Sequence, residues 1–513
     1  MVGPACQPFW RAPMRSPRFA AISFRLMAVE PLTVGDPVGA DILDRISRVL
    51  SEKHPDEVAV DIPVAQDPFD QPIVRGTSIF GALRAHLADY RLLAARELRF
   101  RSISSTEPVA RTTKRQATLA DLLCGSDPEE IDGTGARMLR PSALRLVSSQ
   151  LTAGEVSDGM ARTAISRERG AAEPNKLFRR GQLLGATIEV LLQIDLAILD
   201  AVLSEWGTAA VTTGPTAARQ VIDDLSRALG AWKPFIGGQT CVGSGRCQIA
   251  GITLRWADPL PIQQLLSSSD TLGLLRSATR QPVPVGELQL STRSQGERWS
   301  IDVPLKCVDP LLVSPVASSD GTHDNLATTL DIVPGSSWRG LFRARAEYIL
   351  RSCGVAEVCE SSVGTCGRCA TCELFGWVPR PTDPAGRAGA QGLIRFSDSV
   401  VEGSPITLSH APIDRFTGGA ADAKFFKRKA WAPGAQLTMV VEQTPGRPPV
   451  PAWARALLSL VLRDIDAGLI GLGNSTTRGY GTLKVADHGV LPAIPAGWLG
   501  GVPRVEGAEV GQR

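Results

Sequence analysis

The sequence predicts an α+β protein made of two copies of one domain, each a ferredoxin-like antiparallel sheet with helices and long inserted loops. Three observations lead to this prediction. Five short sequence blocks occur twice and in the same order. Alternating, strand-like stretches and amphipathic helical stretches follow one another in both copies. No glycine-rich nucleotide-binding fingerprint accompanies them.

The two copies share five pairs of similar sequence blocks. Val29–Val34 reappears as Val308–Val313, at an offset of 279, and Val74–Arg84 matches Val333–Arg343 without a gap. The other pairs, in chain order, are Leu139–Ser142 with Ile394–Ser397, Ile165–Ala172 with Ile413–Ala421, and Gly238–Gly245 with Gly473–Gly481. The offset falls to 235, as loop insertions in the first copy would produce. Five collinear blocks therefore indicate two homologous domains.

Length and composition agree with this organisation. The 513 residues are 43% hydrophobic and 21% charged, so both copies can build hydrophobic cores. From the repeat we predict a flexible N-terminal tail at 1–20, a first domain at 21–256, a linker at 257–293, a second domain with a metal-binding insertion at 294–489, and a C-terminal tail at 490–513.

Charge and cysteine content exclude several classes of protein. The net charge of +3 excludes a histone-like polycation and still permits a basic groove on a nearly neutral body. No apolar run approaches the ~20 residues of a membrane span, and Met1–Arg18 lacks the apolar core of a secretory signal. The ten cysteines are not spaced like a disulfide framework, so we expect a reducing, cytoplasmic location.

Each copy begins its first amphipathic helix with a glycine followed by hydroxyl residues. Hydroxyl side chains can cap such a helix, and its free backbone N–H groups can face an anion at the positive end of the helix dipole. Arginines on the same helices would add phosphate contacts, although an ordinary cap with solvated arginines is the alternative. The candidate phosphate-binding residues are Gly76, Thr77, Ser78 and Arg84 in the first copy, and Gly335, Ser336, Ser337, Arg339 and Arg343 in the second.

A glycine-rich loop, Gly471–Gly481, precedes the last strand of the second copy, and the first copy has a similar loop. Glycines let a backbone approach a ligand, arginine and hydroxyls can hold phosphate oxygens, and tyrosine can stack on a base. It is not a Walker loop, because no Lys-Ser/Thr pair follows its last glycine. Its candidate contacts, which a plain turn would also contain, are Gly473, Thr477, Arg478, Gly479 and Tyr480.

A stretch of mixed basic and aromatic residues runs from His410 to Lys429. This mixture is typical of a flexible hairpin that touches a nucleic-acid strand, although a solvated charged loop can have the same composition. The candidate contacts are Arg415, Lys424 and Lys427 in the second copy, and Arg167 and Lys176 in the first.

Four cysteines fall within fourteen residues, in the pattern Cys359-x6-Cys366-x2-Cys369-x2-Cys372. Two x2 spacings, with glycines that allow the turns, match a tetrahedral structural zinc site, and Cys353 is an alternative ligand. An iron–sulfur cluster or unligated thiols are the other interpretations. Since the corresponding part of the first copy keeps only Cys124, it cannot bind a metal in this way.

With these motifs the chain resembles the RAMP superfamily of CRISPR-associated proteins, and within it a tandem, fused form of the backbone subunits of type III effector complexes. In the second copy the resemblance is carried by Val333–Gly340, Cys366–Gly376, His410–Gly419 and Gly471–Gly481. The first copy is less typical and resembles the family through Asp61–Arg84, Ile165–Ala172 and Gly237–Gly245.

The resemblance implies two RRM-like domains that hold guide (CRISPR) RNA along one face, each with a thumb-like hairpin between guide and target RNA, among other type III effector subunits. Family members that cut target RNA carry an aspartate after the first strand, and Mg²⁺ or Mn²⁺ assists attack by a ribose 2′-hydroxyl. Carried over by residue, this role falls to Asp61 and Asp324. Ungapped counting from Gly335 points instead to Asp320.

The preferred prediction is therefore a metal-dependent target-RNA endoribonuclease subunit. Two other functions stay open at this point. The chain could be a guide-RNA-binding scaffold whose loop aspartates are turn residues, or a guide-processing endoribonuclease of the same superfamily. With five histidines in the chain, a histidine-pair ribonuclease mechanism has little material.

Overall fold

A computed structural model gives the fold of the chain. It describes residues 19–35, 62–92, 97–102, 111–126, 130–131, 135, 138–159, 162–165, 172–206, 215–257, 279–281, 292–294, 298–314, 326–355, 358–359, 365–378, 389–420 and 425–503.

The helices and strands follow the order that the repeat predicts. Up to residue 294 they are β1 Phe19–Ala28, α1 Gly76–Leu87, β2 Tyr90–Leu92, β3 Glu97–Ser102, β4 Arg111–Gln116, α2 Leu119–Leu123, β5 Glu130–Ile131, β6 Leu144–Ser157, β7 Arg162–Ile165, β8 Ala172–Phe178, β9 Gln182–Asp195, α3 Leu196–Glu205, α4 Pro215–Ala231, β10 Cys247–Ala257, β11 Thr279–Gln281 and β12 Thr292–Ser294.

From residue 300 onward they are β13 Ser300–Cys307, β14 Leu326–Thr328, β15 Ile332–Val333, α5 Gly335–Ser352, α6 Ala370–Phe375, β16 Gly376–Trp377, β17 Ala390–Gln391, β18 Ile394–Phe396, β19 Ser399–Glu402, β20 Pro405–His410, β21 Phe426–Trp431, β22 Gln436–Gln443, α7 Ala452–Asp466 and β23 Leu483–Val485. Short 3₁₀ turns lie at Thr476–Arg478, His488–Val490 and Trp498–Gly501.

The two main sheets share one topology. In the first unit the strands lie in the order β6, β9, β1, β10, followed by β11, and each neighbouring pair is antiparallel. In the second unit β18 and β19 both pair with β22, followed by β13 and β23. In chain order the four central strands are β1, β6, β9 and β10 in the first unit, and β13, β18–β19, β22 and β23 in the second. The first of these strands lies between the third and the fourth in both units, as in a ferredoxin-like fold. The predicted α+β class is confirmed.

The first helix of each unit packs onto its sheet through one face. In α1 the residues at a four-residue spacing, Ile79, Leu83 and Leu87, have no exposed surface. In α5 the same spacing buries Trp338, Phe342, Ala346 and Leu350 completely. A spacing of four repeats once per helical turn, so each stripe faces the core. Two separate hydrophobic cores result, one in each unit.

Backbone hydrogen bonds fix the correspondence between the units. Leu32 exchanges hydrogen bonds with β9, and the N–H groups of Val29 and Val308 bond to the carbonyls of Arg246 and Thr482 at 2.8 and 2.9 Å. The offset of 279 at the first block therefore agrees with the structure. The third block must be shifted, because Leu144 and Leu146 pair with β9 as Ile394 and Phe396 pair with β22. Sequence similarity at Leu139–Ser142 had suggested a different match.

Parts of the predicted linker and of the predicted C-terminal tail belong to the folded units. Within the predicted linker, β11 pairs with β10 and β12 pairs with β2. Beyond residue 489, Val502 is buried and Gly501 lies against Trp453 of α7. Both segments extend the secondary structure or core of a neighbouring unit.

The two units meet at a contact that we call the joint, formed by Glu30 and Thr240–Arg246 of the first unit and Arg395–Asp398 of the second. Arg395, whose side chain is 1% exposed, pairs with Glu30 at 3.3 Å, and its guanidinium lies 3.5 Å from the centre of the Phe235 ring. Arg246 pairs with Glu442 at 2.5 Å. Two arginines and two glutamates thus neutralise one another between the units.

Candidate functional site

The two helix starts differ in what surrounds them. The Gly335 N–H of α5 donates to Asp398 Oδ1 at 2.7 Å, and a Cβ at Gly335 would lie 2.4 Å from the Phe396 carbonyl. Burial raises the pKa of Asp398 to about 6, against the lowering effect of this hydrogen bond. The caps are Arg75 and Pro334, without side-chain hydrogen bonds, so the predicted hydroxyl caps are not formed. The start of α5 is closed by protein groups.

The start of α1 opens into a cleft of about 420 Å³, which we call the α1 cleft. Thr77 and Ser78 lie in its wall, as do the helix-preceding Arg75 and the ring of Phe235. The backbone of Gly237 and Gly238 forms another side. A positively charged side chain, two hydroxyls and the first turn of a helix therefore surround one space that could take an anion. Ser336 and Ser337 occupy the matching first turn of α5.

The arginines on α5 make contacts inside the protein. Arg343 is buried, and it donates to Glu347 at 3.1 Å, to the Gly376 carbonyl at 2.8 Å and to Cys372 Sγ at 3.5 Å. Arg339 donates to the Phe375 carbonyl at 3.1 Å. Both guanidiniums hold α6 against α5, a use different from the phosphate contact that the sequence suggested.

Arg84 of α1 is half-buried and lies near Cys124, whose pKa burial raises to about 12. Positive charge from Arg84 opposes that rise. Arg84 is the ninth residue of α1, about two turns beyond Gly76. It is therefore separated from the opening of the α1 cleft, whose lining residues do not include it.

The glycine-rich loop has a buried part and an exposed part. At Gly473 (φ +87°) a Cβ would lie 2.4 Å from the Leu312 carbonyl, so the backbone itself packs here. Tyr480 is 3% exposed and its hydroxyl bonds to His410 Nε2 at 2.6 Å. It therefore cannot stack on a base in this position, contrary to the sequence prediction. Thr477, Arg478 and Gly479 are exposed.

The loop is tied to the base of the hairpin formed by β20 and β21, which we call the second hairpin. Arg428 of β21 donates to Ser475 Oγ of the loop. The His410 ring stacks on Phe426 with centroids 5.1 Å apart. These contacts join the exposed loop residues to the hairpin as one continuous surface. Lys427 is exposed on the same strand.

The tip of the second hairpin exposes apolar and basic groups together. Phe416 is 84% exposed and Ile413 is 65% exposed, and the Arg415 guanidinium lies 5.0 Å from the centre of the Phe416 ring. Asp414 accepts hydrogen bonds from the N–H groups of Phe416 and Thr417 at 2.9 Å, which lower its pKa and shape the turn. Exposed aromatic rings with arginine are suited to stacking on bases. Lys424 lies outside the described residues.

The first unit has a matching hairpin, formed by β7 and β8, which we call the first hairpin. At its base the Arg180 guanidinium lies 5.8 Å from the centre of the Phe178 ring. The backbone of Lys176 belongs to β8, and Arg167 lies outside the described residues. Each unit therefore places a hairpin with basic and aromatic residues between its second and third sheet strands.

All three candidate catalytic aspartates, Asp61, Asp320 and Asp324, lie outside the described residues. Their described neighbours can be compared. Ile62 forms a parallel bridge with Arg180 at the base of the first hairpin. Leu326–Thr328 runs parallel to Lys427–Lys429 at the base of the second. The chain next to a candidate aspartate therefore follows the hairpin base in both units.

Hydrogen bonds also align the two aspartate loops. The N–H of Ala65 bonds to the Val34 carbonyl, and the N–H of Leu330 bonds to the Val313 carbonyl, so Ala65 corresponds to Leu330. Ten residues lie between Ala65 and Gly76, whereas four lie between Leu330 and Gly335. The second unit therefore has the shorter following loop. Asp61 lies four residues before Ala65, and the position four residues before Leu330 is residue 326, two residues from Asp324.

The four predicted cysteines come together. Their Sγ atoms all lie within 4.8 Å of one another, with Cys359 at 3.5 Å from Cys369 and 3.3 Å from Cys372. Tetrahedral zinc with Zn–S bonds of 2.3 Å requires Sγ atoms about 3.8 Å apart. Cys366 Sγ lies 3.9 Å from Cys372 Sγ. The cluster could hold a metal ion such as zinc.

Cys369 is the favoured thiolate of the cysteine cluster, and the pKa values of Cys359 and Cys372, whose thiols donate to it, lie above their usual range. Hydrogen bonds from the Cys359 and Cys372 thiols hold the pKa of Cys369 far below its usual range. Backbone N–H groups of Cys366 and Gly367 point at sulfur atoms at 3.2 and 3.4 Å. A metal site releases thiol protons on binding, and such donors stabilise the resulting charge. Cys353 is exposed and lies outside the cluster.

Several residues of the site were not found from the sequence. Arg75 and Phe235 line the α1 cleft, and Arg428 connects the second hairpin to the glycine-rich loop. Phe235 had a detectable signal, since it precedes the repeated Gly237–Gly245 loop by two residues. Asp398 had none, because the first unit carries Ser148 at the corresponding position of the bulged strand.

Comparison with known proteins adds a family match in two regions. The family model of the RAMP superfamily matches residues 25–248 and 304–484. These regions contain most of the first main sheet and most of the second, in agreement with the tandem organisation. No curated protein matches the chain. Among the described helices, none has both the length and the apolarity that crossing a bilayer requires.

Proposed function

Since the chain belongs to the RAMP superfamily of CRISPR-associated RNA-binding proteins, we propose that it is a tandem backbone subunit of a type III effector complex. In this role it holds guide RNA along both units and cuts complementary target RNA, in the cytoplasm and together with other effector subunits. The proposed domains are 21–256 and 294–489, each an RRM-like unit with a thumb hairpin.

One observation carries the RNA-binding part of this proposal. The exposed Thr477–Gly479 segment is joined to the second hairpin, whose tip presents Phe416 and Arg415 to solvent. This surface offers a guanidinium at Arg478, an exposed basic and aromatic tip, and exposed backbone in a glycine-rich loop. Phosphate contacts with the arginines would position the RNA, and the aromatic tip would stack against bases.

The α1 cleft is the proposed phosphate site of the first unit. Thr77 and Ser78 offer hydroxyls and N–H groups, and Arg75 offers a positive charge. Gly237 has no side chain, so a phosphate group could approach its backbone closely. In the second unit the corresponding helix start is closed by Asp398. The proposed RNA contacts therefore differ between the units: the helix start serves the first, and the hairpin with the exposed loop serves the second.

Binding is tested with a labelled guide RNA and fluorescence anisotropy. Arg415→Ala and Arg478→Ala together are expected to weaken binding about tenfold and to reduce the salt dependence of the association constant. Arg463→Ala is the matched control, because Arg463 is also an exposed arginine but lies on helix α7 and not on the hairpin or the glycine-rich loop. Equal affinity of the double variant and the control would refute the proposed RNA-binding surface.

Cleavage is proposed to use Asp61 and Asp324. The chain beside both residues runs along the base of a hairpin, and alignment from Leu330 comes closer to Asp324 than to Asp320. A carboxylate there could accept the proton of the attacking ribose 2′-hydroxyl or position that hydroxyl. Mg²⁺ or Mn²⁺, when bound, would supply stabilisation of the developing phosphate charge.

A reconstituted complex with guide and labelled target RNA tests this step. Asp61→Ala and Asp324→Ala are each expected to remove one cut and leave the other, while guide binding is unchanged. Asp320→Ala is the matched control and should leave both cuts. Unchanged cutting by the Asp61→Ala, Asp324→Ala variant would leave the chain as a non-catalytic scaffold, and loss of guide maturation without target cutting would support a processing enzyme.

The cysteine cluster is proposed to hold one structural zinc ion. Four thiolates close the coordination shell, so no position is left for a substrate or a reactive water. Elemental analysis should find one zinc per chain. The variant with Cys366→Ser and Cys369→Ser should lose it, whereas Cys353→Ser should retain it. An iron content with visible charge-transfer absorption would contradict zinc.

A further inference from the structure

Each unit carries an inserted segment at the same place in its fold, between its first helix and the second strand of its main sheet. The first insertion contains β2 to β5 and α2, and the second contains α6, β16 and β17. Helix α2 contacts α1, as α6 contacts α5. The second insertion carries the cysteine cluster, whereas the first has Cys124 as its one cysteine. The first insertion must therefore be held together by other groups.

The backbones of the two insertions can be aligned at a glycine that follows each short helix. Gly125 and Gly376 both adopt a left-handed backbone, with φ of 78° and 82°. A Cβ at Gly125 would lie 2.7 Å from the Arg140 carbonyl oxygen, and a Cβ at Gly376 would lie 2.8 Å from the Ala390 carbonyl oxygen. The residue numbers differ by 251 for the glycines and by 250 for the carbonyls. The same close approach of two segments therefore ends both helices.

The two helices also begin at matching residues. Thr118 is the N-cap of α2 and Cys369 is the N-cap of α6, again at an offset of 251. The Leu122 N–H bonds to the Thr118 carbonyl at 3.2 Å, and the Glu373 N–H bonds to the Cys369 carbonyl at 3.0 Å. Both ends of α2 and α6 thus agree, so residues around the two helices can be compared one by one.

Three of the four clustered cysteines have polar counterparts at this offset. Cys366, Cys369 and Cys372 correspond to Arg115, Thr118 and Asp121, which we call the polar trio. The polar trio has the same two x2 spacings as the cysteines. Residue 108, which this offset relates to Cys359, lies outside the described residues.

The polar trio forms a centre of its own around the Asp121 carboxylate, which is 3% exposed. Arg115 donates to both carboxylate oxygens, at 2.6 and 2.9 Å. The Thr118 hydroxyl and N–H donate to Asp121 Oδ2 at 2.7 and 2.9 Å, and the Asp121 N–H donates back to Thr118 Oγ1 at 3.3 Å. Burial would raise the pKa of Asp121, but the hydrogen bonds from Arg115 and Thr118 lower it overall. A bidentate arginine and two further donors therefore satisfy this buried carboxylate.

The two centres connect the same parts of the backbone by different chemistry. Arg115 belongs to β4, Thr118 caps α2 and Asp121 lies in its first turn, so the carboxylate joins the strand to the helix. In the second insertion the matching positions carry sulfur atoms within 4.8 Å of one another. Thiolates need a cation to hold them together, and metal binding at such a site is coupled to folding. The carboxylate of the polar trio already has its cation in Arg115.

We propose that the polar trio does in the first insertion what the metal ion does in the second. Loss of metal then loosens the insertion of the second unit alone, and the first unit, which contains the α1 cleft, keeps its insertion folded. The two units would therefore respond differently to metal depletion. The proposal rests on the proposed zinc in the cysteine cluster, and it does not depend on RNA binding or cleavage.

Hydrogen exchange of the full chain, followed by mass spectrometry, tests this difference. A zinc chelator should speed exchange in α6 at least about tenfold and leave α2 unchanged, with zinc content measured in parallel. Asp121→Asn and the milder Arg115→Leu should have the opposite effect, with about tenfold faster exchange in α2 and no change in α6 or in zinc content. Arg99→Leu, which removes an exposed arginine from β3 of the same insertion, is the matched control and should exchange as the wild type does.

The variant with both substitutions separates the contact from a general loss of structure. Because Arg115 and Asp121 act through one contact, α2 should exchange no faster in the double variant than in Asp121→Asn alone. Faster exchange of α2 after chelation, or unchanged exchange of α2 in both single variants, would overturn the proposal. A preparation that holds no metal would refute the proposed zinc, and loosening of α2 by Asp121→Asn would still support the polar trio as the centre of the first insertion.

Discussion

The carboxyl group of Asp398 provides a quantitative test of the joint. It accepts the Gly335 N–H at 2.7 Å, and burial raises its pKa from 3.8 to about 6 against the attraction of Arg162 and Arg395. Asp398→Asn keeps the oxygen that accepts this hydrogen bond and resembles the protonated acid. The substitution therefore removes the charge without removing the contact.

Proton binding by Asp398 sets the direction in which the free energy of unfolding changes with pH. Between pH 3.8 and about 6 the folded chain keeps the Asp398 proton that the unfolded chain has released, so the free energy of unfolding falls as pH rises through this window. A tenfold difference in proton affinity corresponds to about 1.4 kcal/mol, which gives about 3 kcal/mol in total. Asp398→Asn should consequently match the wild type near pH 4 and exceed it by up to about 3 kcal/mol at pH 8.

Urea unfolding followed by tryptophan fluorescence, at several pH values between 4 and 8, measures this difference. Asp302→Asn, at an exposed carboxylate of β13, is the control and should show no pH-dependent gain. The reasoning is refuted if Asp398→Asn is less stable than the wild type at pH 8, or if the difference between the two proteins does not change with pH.

Three further substitutions have expected outcomes of their own. Arg395→Ala should lower the free energy of unfolding by about 3 kcal/mol, because it leaves its two glutamate partners in the joint without a buried cation; a loss below 1 kcal/mol, about that of a surface pair, would contradict this. Trp338→Ala empties a fully buried site and should cost about 3–5 kcal/mol in the same assay, whereas a neutral result would place Trp338 outside the core. Arg343→Ala should weaken zinc retention against a chelator, since Arg343 donates to Cys372 Sγ; Arg345→Ala, a change on the same helix, is its control.

The repeat and the helical spacings were sufficient to predict the fold. Apolar residues four apart on α1 and α5 indicated the buried stripes, and equal block order indicated equal topology. The shift in the third block had a physical cause: β6 and the β18–β19 segment are bulged, and their pairing depends on hydrogen bonds that side-chain similarity does not report. The register of these strands is therefore evident in the structure and not in the sequence similarity.

Site prediction succeeded where local spacing sets geometry. The x2 spacings keep Cys366, Cys369 and Cys372 close together along the chain, and Cys359 joins them in the structure. It failed where a tertiary neighbour decides the role of a side chain. Arg343 and Tyr480 look like ligand contacts in isolation, but α6 and His410 occupy their polar groups. The closing of the α5 start by Asp398 depends on a contact between units, which no local motif encodes.

Cross-linking of a photoreactive guide RNA to the protein, mapped by mass spectrometry, tests the central claim most directly. The account predicts cross-links at the tip of the second hairpin, at Thr477–Gly479 and around the α1 cleft. It predicts none on the exposed side of α7. Cross-links confined to α7, with the hairpin and both loops unmodified, would contradict RNA binding along the proposed face.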